Sequence, residues 1–256
     1  MSSQPQSSVR REVRKRKLQR IEDGAKPRVL DLFAGCGGFS LGFETAGYDI
    51  VTGLEINEHA AGTYSCHFSD RQKEDAIPPL DIRETDPEYV LNHTDADSAE
   101  NAIDVIVGGP PCQSYARIGR AKLREVEERP EAFLEDKRGN LYHRYLQYVR
   151  TLNPVAVVVE NVPDSLNYGG HNIAEEICEV LKENGYRCRY TLLNSAFYGV
   201  PQMRERMFLV AVAEELNSEI KFPEPTHQIQ LPPGYHGSRS VALKHVSRNG
   251  DTETDL

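Results

Sequence analysis

Several short stretches of this 256-residue sequence place chemically capable residues where an apolar run ends. Cys112 follows Pro110 and Pro111 directly after the run at 103–107. Each proline fixes φ at about −65° and removes a backbone donor, so the thiol is delivered on a stiff segment. Stiffness suits a nucleophile that must meet a reacting carbon within about 3 to 3.5 Å. On its own Cys112 is equally readable as a buried core cysteine, the usual fate of that residue type. Glu160 ends the run at 157–159, where apolar surroundings raise a carboxyl pKa and keep a proton available for general acid chemistry. A capping or salt-bridged glutamate is the alternative there. In Gln202-Met203-Arg204-Glu205-Arg206 two guanidinium groups stand two residues apart, on one side of an extended segment, an arrangement that holds phosphate or carboxylate.

The glycine cluster Phe33-Ala34-Gly35-Cys36-Gly37-Gly38 lies where a first apolar run, 29–33, gives way to a helical pattern with Leu41, Phe43 and Ala46. A strand-to-helix turn of this kind lets a ligand touch backbone amides and a helix N-terminus. Glu55 ends the second run, 20 residues beyond Gly35, a position from which a carboxylate accepts hydrogen bonds from ribose hydroxyls. The dinucleotide pattern G-x-G-x-x-G is absent, because positions 35, 37 and 40 read Gly, Gly, Ser. A nucleoside cofactor lacking a pyrophosphate, such as S-adenosylmethionine, suits the short loop better.

Elements able to position these residues follow from the hydrophobic pattern. Apolar runs at 29–33, 50–54, 103–107 and 155–159 alternate with amphipathic stretches near 59–68 and 141–152. Continuous Val/Ile/Leu runs are strands buried on both faces by crossover helices, which predicts an α/β fold with a doubly wound, mostly parallel sheet. Later strands are expected at 190–193 and 207–212, around a helix at 173–184 that Gly185 can cap. The segments 69–101 and 113–138 read as long irregular loops, and periodicity fades after Phe222. This gives a catalytic domain over 28–222 and an irregular tail over 223–256.

Composition narrows the class. Hydrophobic residues are 39 % and charged residues 27 %, with no apolar run near the roughly 20 residues that span a bilayer. The N-terminus lacks the apolar stretch of a secretory signal. Five cysteines without a Cys-x-x-Cys pair argue against a disulfide framework or structural zinc and for a reducing, intracellular compartment. The net charge of −9 is polarised, since residues 1–28 hold nine Lys or Arg against three acids. Residues 1–27 read as a basic, disordered leader, with a nucleic-acid arm as the alternative.

Taken together, the stretches 31–44 (D-L-F-A-G-C-G-G-F-S-L-G-F-E), 110–113 (P-P-C-Q), 160–162 (E-N-V) and 202–206 (Q-M-R-E-R) resemble, in order and spacing, the cytosine-5 DNA methyltransferase family. The resemblance covers about residues 28–225. It implies a class I, Rossmann-like methyltransferase sheet using S-adenosylmethionine and acting on double-stranded DNA. It makes Phe33, Gly35, Cys36 and Gly38 the cradle of the methionine and adenosine, with Glu55 on the ribose and Ile56 against the adenine. Asp81, Ile82, Pro111 and Leu141 complete that pocket. Cys112 matches the nucleophile that adds to carbon 6 of a flipped-out cytosine, and Glu160 the carboxyl on ring nitrogen 3. Arg204 and Arg206 hold Glu160, the base oxygen or a phosphate, while Gln113, Asn161 and Gln202 support the substrate. No metal is implied.

Two departures set further expectations. Tyr115-Ala116 stands where the family has Phe-Ser, and the acidic 125–135 insert lengthens a lid expected over 113–138. The family's target-recognition region and its later glycine-asparagine motif do not follow Glu224, so a second protein chain carrying them is expected, or a longer polypeptide of which this is part. A tRNA cytosine-5 methyltransferase and an inactive cofactor-binding remnant are the other readings.

Overall fold

Four of the apolar runs form adjacent parallel strands in the computed structural model, which describes residues 4–68, 78–111, 140–167 and 172–228. They are β1 (Arg28–Leu32), β2 (Asp49–Leu54), β3 (Val105–Gly108) and β4 (Ala156–Asn161). With β5 (Tyr186–Asn194) and β6 (Glu205–Ala213) they make a six-stranded sheet ordered β2-β1-β3-β4-β6-β5, in which β6 is antiparallel to both neighbours. The helices are α1 (Gln4–Glu22), α2 (Gly38–Thr45), α3 (Glu58–Phe68), the short α4 (Ala99–Ala102), α5 (Asn140–Leu152) and α6 (Ile173–Glu183).

β1, β2 and β3 read as unbroken apolar runs because both of their faces are covered. Val29, Val105 and Val107 pack with Tyr64 and Phe68 of α3 on one face. Leu30, Leu32, Val157 and Val159 pack with Tyr145, Val149 and Leu152 of α5 and with Ile177 and Leu181 of α6 on the other. The Asn172 side chain caps α6 by accepting from the Glu175 amide, and Gly185, at φ +81°, ends the helix as its sequence position predicts. β5 starts four residues before the expected 190. Arg187 and Arg189 alternate there with Tyr186, Cys188 and Tyr190 on the outermost strand, and a search for apolar runs passes over such alternation.

The basic leader expected over 1–27 is corrected. From residue 4 this segment forms helix α1, on which Val13, Arg14 and Lys17 are buried. Arg14 donates to Asn153 Oδ1 at 2.8 Å and to the carbonyls of Asn184 and Gly185 at 3.0 and 3.2 Å, with its guanidinium 4.1 Å above the Tyr186 ring. Lys17 Nζ donates to the carbonyls of Ile103, Leu152 and Asn153 at 2.5, 2.8 and 3.0 Å. Arg20 pairs with the buried Asp104. Residues 14, 17 and 20 share one helical face; Arg14 and Lys17 meet the carbonyl-bearing ends of α5 and α6, where positive charge is favoured, and Arg20 meets Asp104. A count of charges does not reveal partners that the rest of the chain supplies.

A second correction concerns cysteine. Cys178 of α6 and Cys188 of β5 are joined as a disulfide with Cα atoms 5.4 Å apart, while Cys36 and Cys66 are free and exposed. The lid expected over 113–138 lies outside the described residues, as does the tail from 229. In the described part of the tail, the amides of Thr226 and His227 donate to Phe197 O. Among the described residues no helix is long and apolar enough to cross a membrane.

Candidate active site

The carboxyl ends of the parallel strands bring most of the singled-out residues to one edge of the sheet. After β1 the chain turns through Phe33, Gly35 and Gly37, whose φ values of +62°, +56° and +91° are left-handed. Two of the three are glycines because that region is costly with a Cβ. Ala34 N bonds to Leu54 O at 3.0 Å, tying the loop to the end of β2, and Gly37 precedes the first turn of α2. One residue past β2, the Glu55 carboxylate accepts the Gly35 amide at 2.9 Å and the Asn57 amide at 2.8 Å. Glu55 therefore stands fixed beside the glycine loop. Ile56, next to it, leaves 58 % of its surface bare, a large apolar side chain without cover beside a carboxylate.

Leu80 N donates to Glu55 O at 2.7 Å, which brings Asp81 and Ile82 to the same strand end. Asp81 is gripped by Arg83, which holds its carboxyl below the usual range. Ile82 is buried, and its carbonyl accepts Arg144 Nε of α5 at 2.7 Å. Phe33 and Leu141 are half-buried against the larger core, and Cys36 is exposed. These placements fit a nucleoside with an amino-acid tail: backbone amides at a helix start, a fixed carboxylate for hydroxyls, and a bare aliphatic face for a base.

The second half of the edge forms where β3 and β4 end. At Gly108 an added Cβ would run into the Leu32 backbone carbonyl, and at Gly109 it would lie 3.0 Å from Glu160 Oε2. The two glycines let the segment leading to Pro110 pass close to β1 and to the Glu160 side chain. Asn161 Nδ2 donates to Pro110 O at 2.7 Å, so β4 holds the stiff proline segment in place. Pro111 is exposed; Cys112 and Gln113 lie outside the described residues. Arg206 Nε meets Glu160 Oε1 at 2.9 Å, and Arg204, with its side chain 51 % exposed, comes to 4.0 Å of the same oxygen. Both guanidinium groups point the same way, as their two-residue spacing predicts, and it is Glu160 that they meet. Gln202 sits in the exposed loop before β6, its carbonyl accepting Ser195 Oγ at 2.7 Å.

A parallel sheet with an antiparallel strand inserted near one edge, and a glycine loop after its first strand, is the class I methyltransferase fold. The family pattern described as C-5 cytosine-specific DNA methylase matches residues 27–252, and the chain belongs to that family. A putative type II methyltransferase, M.OihORF3336P of Oceanobacillus iheyensis, is 42 % identical over 209 residues, 80 % of this chain and 44 % of its own. The type II methyltransferase M1.HphI of Haemophilus parahaemolyticus is 31 % identical, over 88 % of this chain and 58 % of its own. M.AquIA of Picosynechococcus is 31 % identical and is matched over 77 % of its length. The crystal structure of a putative prophage-encoded DNA modification methyltransferase from E. coli superposes with a TM-score of 0.58 at 27 % identity, over 77 % of this chain and 49 % of that one. The chain thus spans about half the length of the first curated relatives it matches.

Proposed function

We propose that this chain is the catalytic half of a DNA (cytosine-5) methyltransferase of the restriction-modification kind, transferring a methyl group from S-adenosylmethionine to cytosine in double-stranded DNA. The observation that carries the reading is the convergence of Glu160, its Arg206 partner and the Asn161-anchored Pro110 beside the glycine loop and Glu55. When bound, S-adenosylmethionine supplies an electrophilic methyl group; the protein's residues do the rest. Glu55 and the loop amides orient it. The Cys112 thiolate adds to carbon 6 of an extruded cytosine, while Glu160, held by Arg206, bonds ring nitrogen 3 and draws off the charge that would otherwise sit in the ring. Carbon 5 becomes nucleophilic, and after methylation loss of its proton expels the thiolate and restores the aromatic base.

Transfer of tritiated methyl groups to DNA and to tRNA tests the reading: label in duplex DNA alone supports it, and label in tRNA alone overturns it. The contribution of Glu55 is tested separately. Glu55→Ala is expected to weaken S-adenosylmethionine binding by about 1.5 to 3 kcal/mol, the usual worth of hydrogen bonds to a charged group, as read by calorimetry. Affinity within twofold of wild type would remove Glu55 from the ribose.

Base reading is assigned to polypeptide other than the residues described, in a second chain or in a longer polypeptide of which this sequence is part. The sheet supports this assignment. Ala156 and Val158 of β4 and Phe208, Val210 and Val212 of β6 share one face and are only half-buried, although Phe39 of α2 reaches the Phe208 ring edge-on at 6.4 Å. An apolar sheet face left half-covered marks a surface that another element packs on. Co-expression with the neighbouring reading frame is expected to give a stable complex and sequence-specific methylation together. A monomeric 256-residue chain that methylates one defined sequence unaided would refute the second chain.

A further inference from the structure

Beneath the glycine loop, on its inner side, runs a polar chain whose members come from three different elements. Asp31 of β1, Ser40 of α2 and Tyr64 of α3 are all buried. The Ser40 amide and hydroxyl both donate to Asp31 Oδ2, at 3.2 and 2.8 Å, and Ser40 Oγ lies 3.1 Å from the Tyr64 hydroxyl. A serine hydroxyl carries one proton, and with that proton on the carboxylate the Tyr64 hydroxyl must be the donor to Ser40 Oγ. The order is therefore fixed as Tyr64 to Ser40 to Asp31. Burial raises the Asp31 carboxyl to about 7, against the two Ser40 bonds that pull it down, so in this dry setting each donor in the chain counts.

The Tyr64 ring also fills space that two glycines leave. A Cβ at Gly53, two residues before Glu55, would lie 2.5 Å from Tyr64 Cζ, and one at Gly37 would lie 3.0 Å from Tyr64 Cδ2. One ring thus abuts the end of β2 that bears Glu55 and the start of α2 that closes the loop, while its hydroxyl reaches Ser40 Oγ and, through it, the Asp31 carboxylate of β1. Being buried, the ring is withheld from anything seated on the outer side of the loop.

We propose that Tyr64 is a positioning residue for S-adenosylmethionine: acting through Ser40 and Asp31, and by contact at Gly37 and Gly53, it sets the glycine loop and Glu55 at the spacing the molecule needs. The proposal rests on the reading that this loop and Glu55 bind S-adenosylmethionine. Tyr64→Phe keeps the ring and removes only the hydroxyl; Ser40→Ala removes the next link. Each is expected to raise the S-adenosylmethionine Kd roughly three- to tenfold, the worth of one buried hydrogen bond, and the double variant to be no weaker than Ser40→Ala. In the ligand-free Tyr64→Phe chain, amide exchange is expected to quicken at Gly35, Gly37 and Ser40 and to stay as wild type in β4 and β6. Glu55→Ala serves as the control. If Glu55→Ala loses affinity while Tyr64→Phe binds within 1.5-fold of wild type, the positioning role is overturned. Additive losses in the double variant, or exchange that quickens evenly through the sheet, overturn it as well. If Glu55→Ala also binds as wild type, the cofactor reading itself falls, and this proposal with it.

Discussion

Cys112→Ala is expected to lower methyl transfer by at least about three powers of ten while leaving S-adenosylmethionine affinity within about twofold of wild type. The asymmetry follows from where the thiol acts. It attacks the base and contributes nothing to the loop amides or to Glu55, so its removal deletes the covalent step and spares the cofactor site. The described residues support that division of labour: Asn161 holds Pro110 O from β4, on the Glu160 side of the edge, whereas Glu55 bonds Gly35 on the β1–β2 side. A duplex containing 5-fluorocytosine supplies a second readout. Fluorine cannot leave as the proton does, so elimination stalls and a denaturation-resistant protein–DNA adduct should accumulate with the wild-type complex and be absent with the variant. Residual turnover above about a thousandth of wild type, or an active complex that forms no adduct, would refute the covalent mechanism.

Lys17→Met is expected to cost about 3 kcal/mol of stability in urea denaturation, with S-adenosylmethionine affinity unchanged per folded molecule. The substitution keeps the length and bulk of the stem and removes the donors that face Ile103 O, Leu152 O and Asn153 O, three while the amine is charged and two once it is neutral. Buried acceptors left bare cost about 1 to 3 kcal/mol each, and partial hydration of the site brings three of them down to the figure above. The cost should depend on pH. Burial pushes the Lys17 amine down to about 7, with Asp104 opposing. Between pH 7 and the ordinary lysine value the unfolded chain then binds more protons than the folded one, so wild-type stability from this group rises with pH across that window. The variant lacks the group, and the gap in urea midpoint between the two proteins should widen from pH 7 to pH 9.5. A loss below 1 kcal/mol, or a gap that narrows, would show that α1 is not held by Lys17.

What the sequence disclosed and what it hid divide along a physical line. Val29 and Ile106 announce their strands because burial on both faces demands apolar residues at every position, a constraint that shows locally. Glu55 and Glu160 are legible at the ends of their strands because a strand end is defined by its own few residues, whereas β6 takes in Arg206 by beginning at Glu205, two residues before the apolar run at 207–212. That Arg204 and Arg206 turn to one side is legible in their two-residue spacing, but Glu160 as their partner is implied only by the family resemblance. Tyr64, in contrast, looks like any aromatic on an amphipathic helix; its role depends on Ser40 and Gly53, which lie on other elements. Arg14 and Lys17 mislead for the same reason. Their partners are carbonyls on Leu152, Asn153, Asn184 and Gly185, and a backbone carbonyl leaves no mark in a sequence. The Cys178–Cys188 pair joins residues ten apart only because α6 folds back upon β5.

That pair stands on the outermost strand of the sheet, and there it bears on how the molecule behaves in a crowd. An unpaired strand edge is an invitation to the sheet of a neighbouring molecule, the first step toward aggregation. β5 refuses it in two ways. Arg189 ties it to the segment beyond β6 by donating to Ile220 O at 3.0 Å, and Cys188 fastens it to α6. A strand fastened at both places resists peeling outward to recruit foreign backbone.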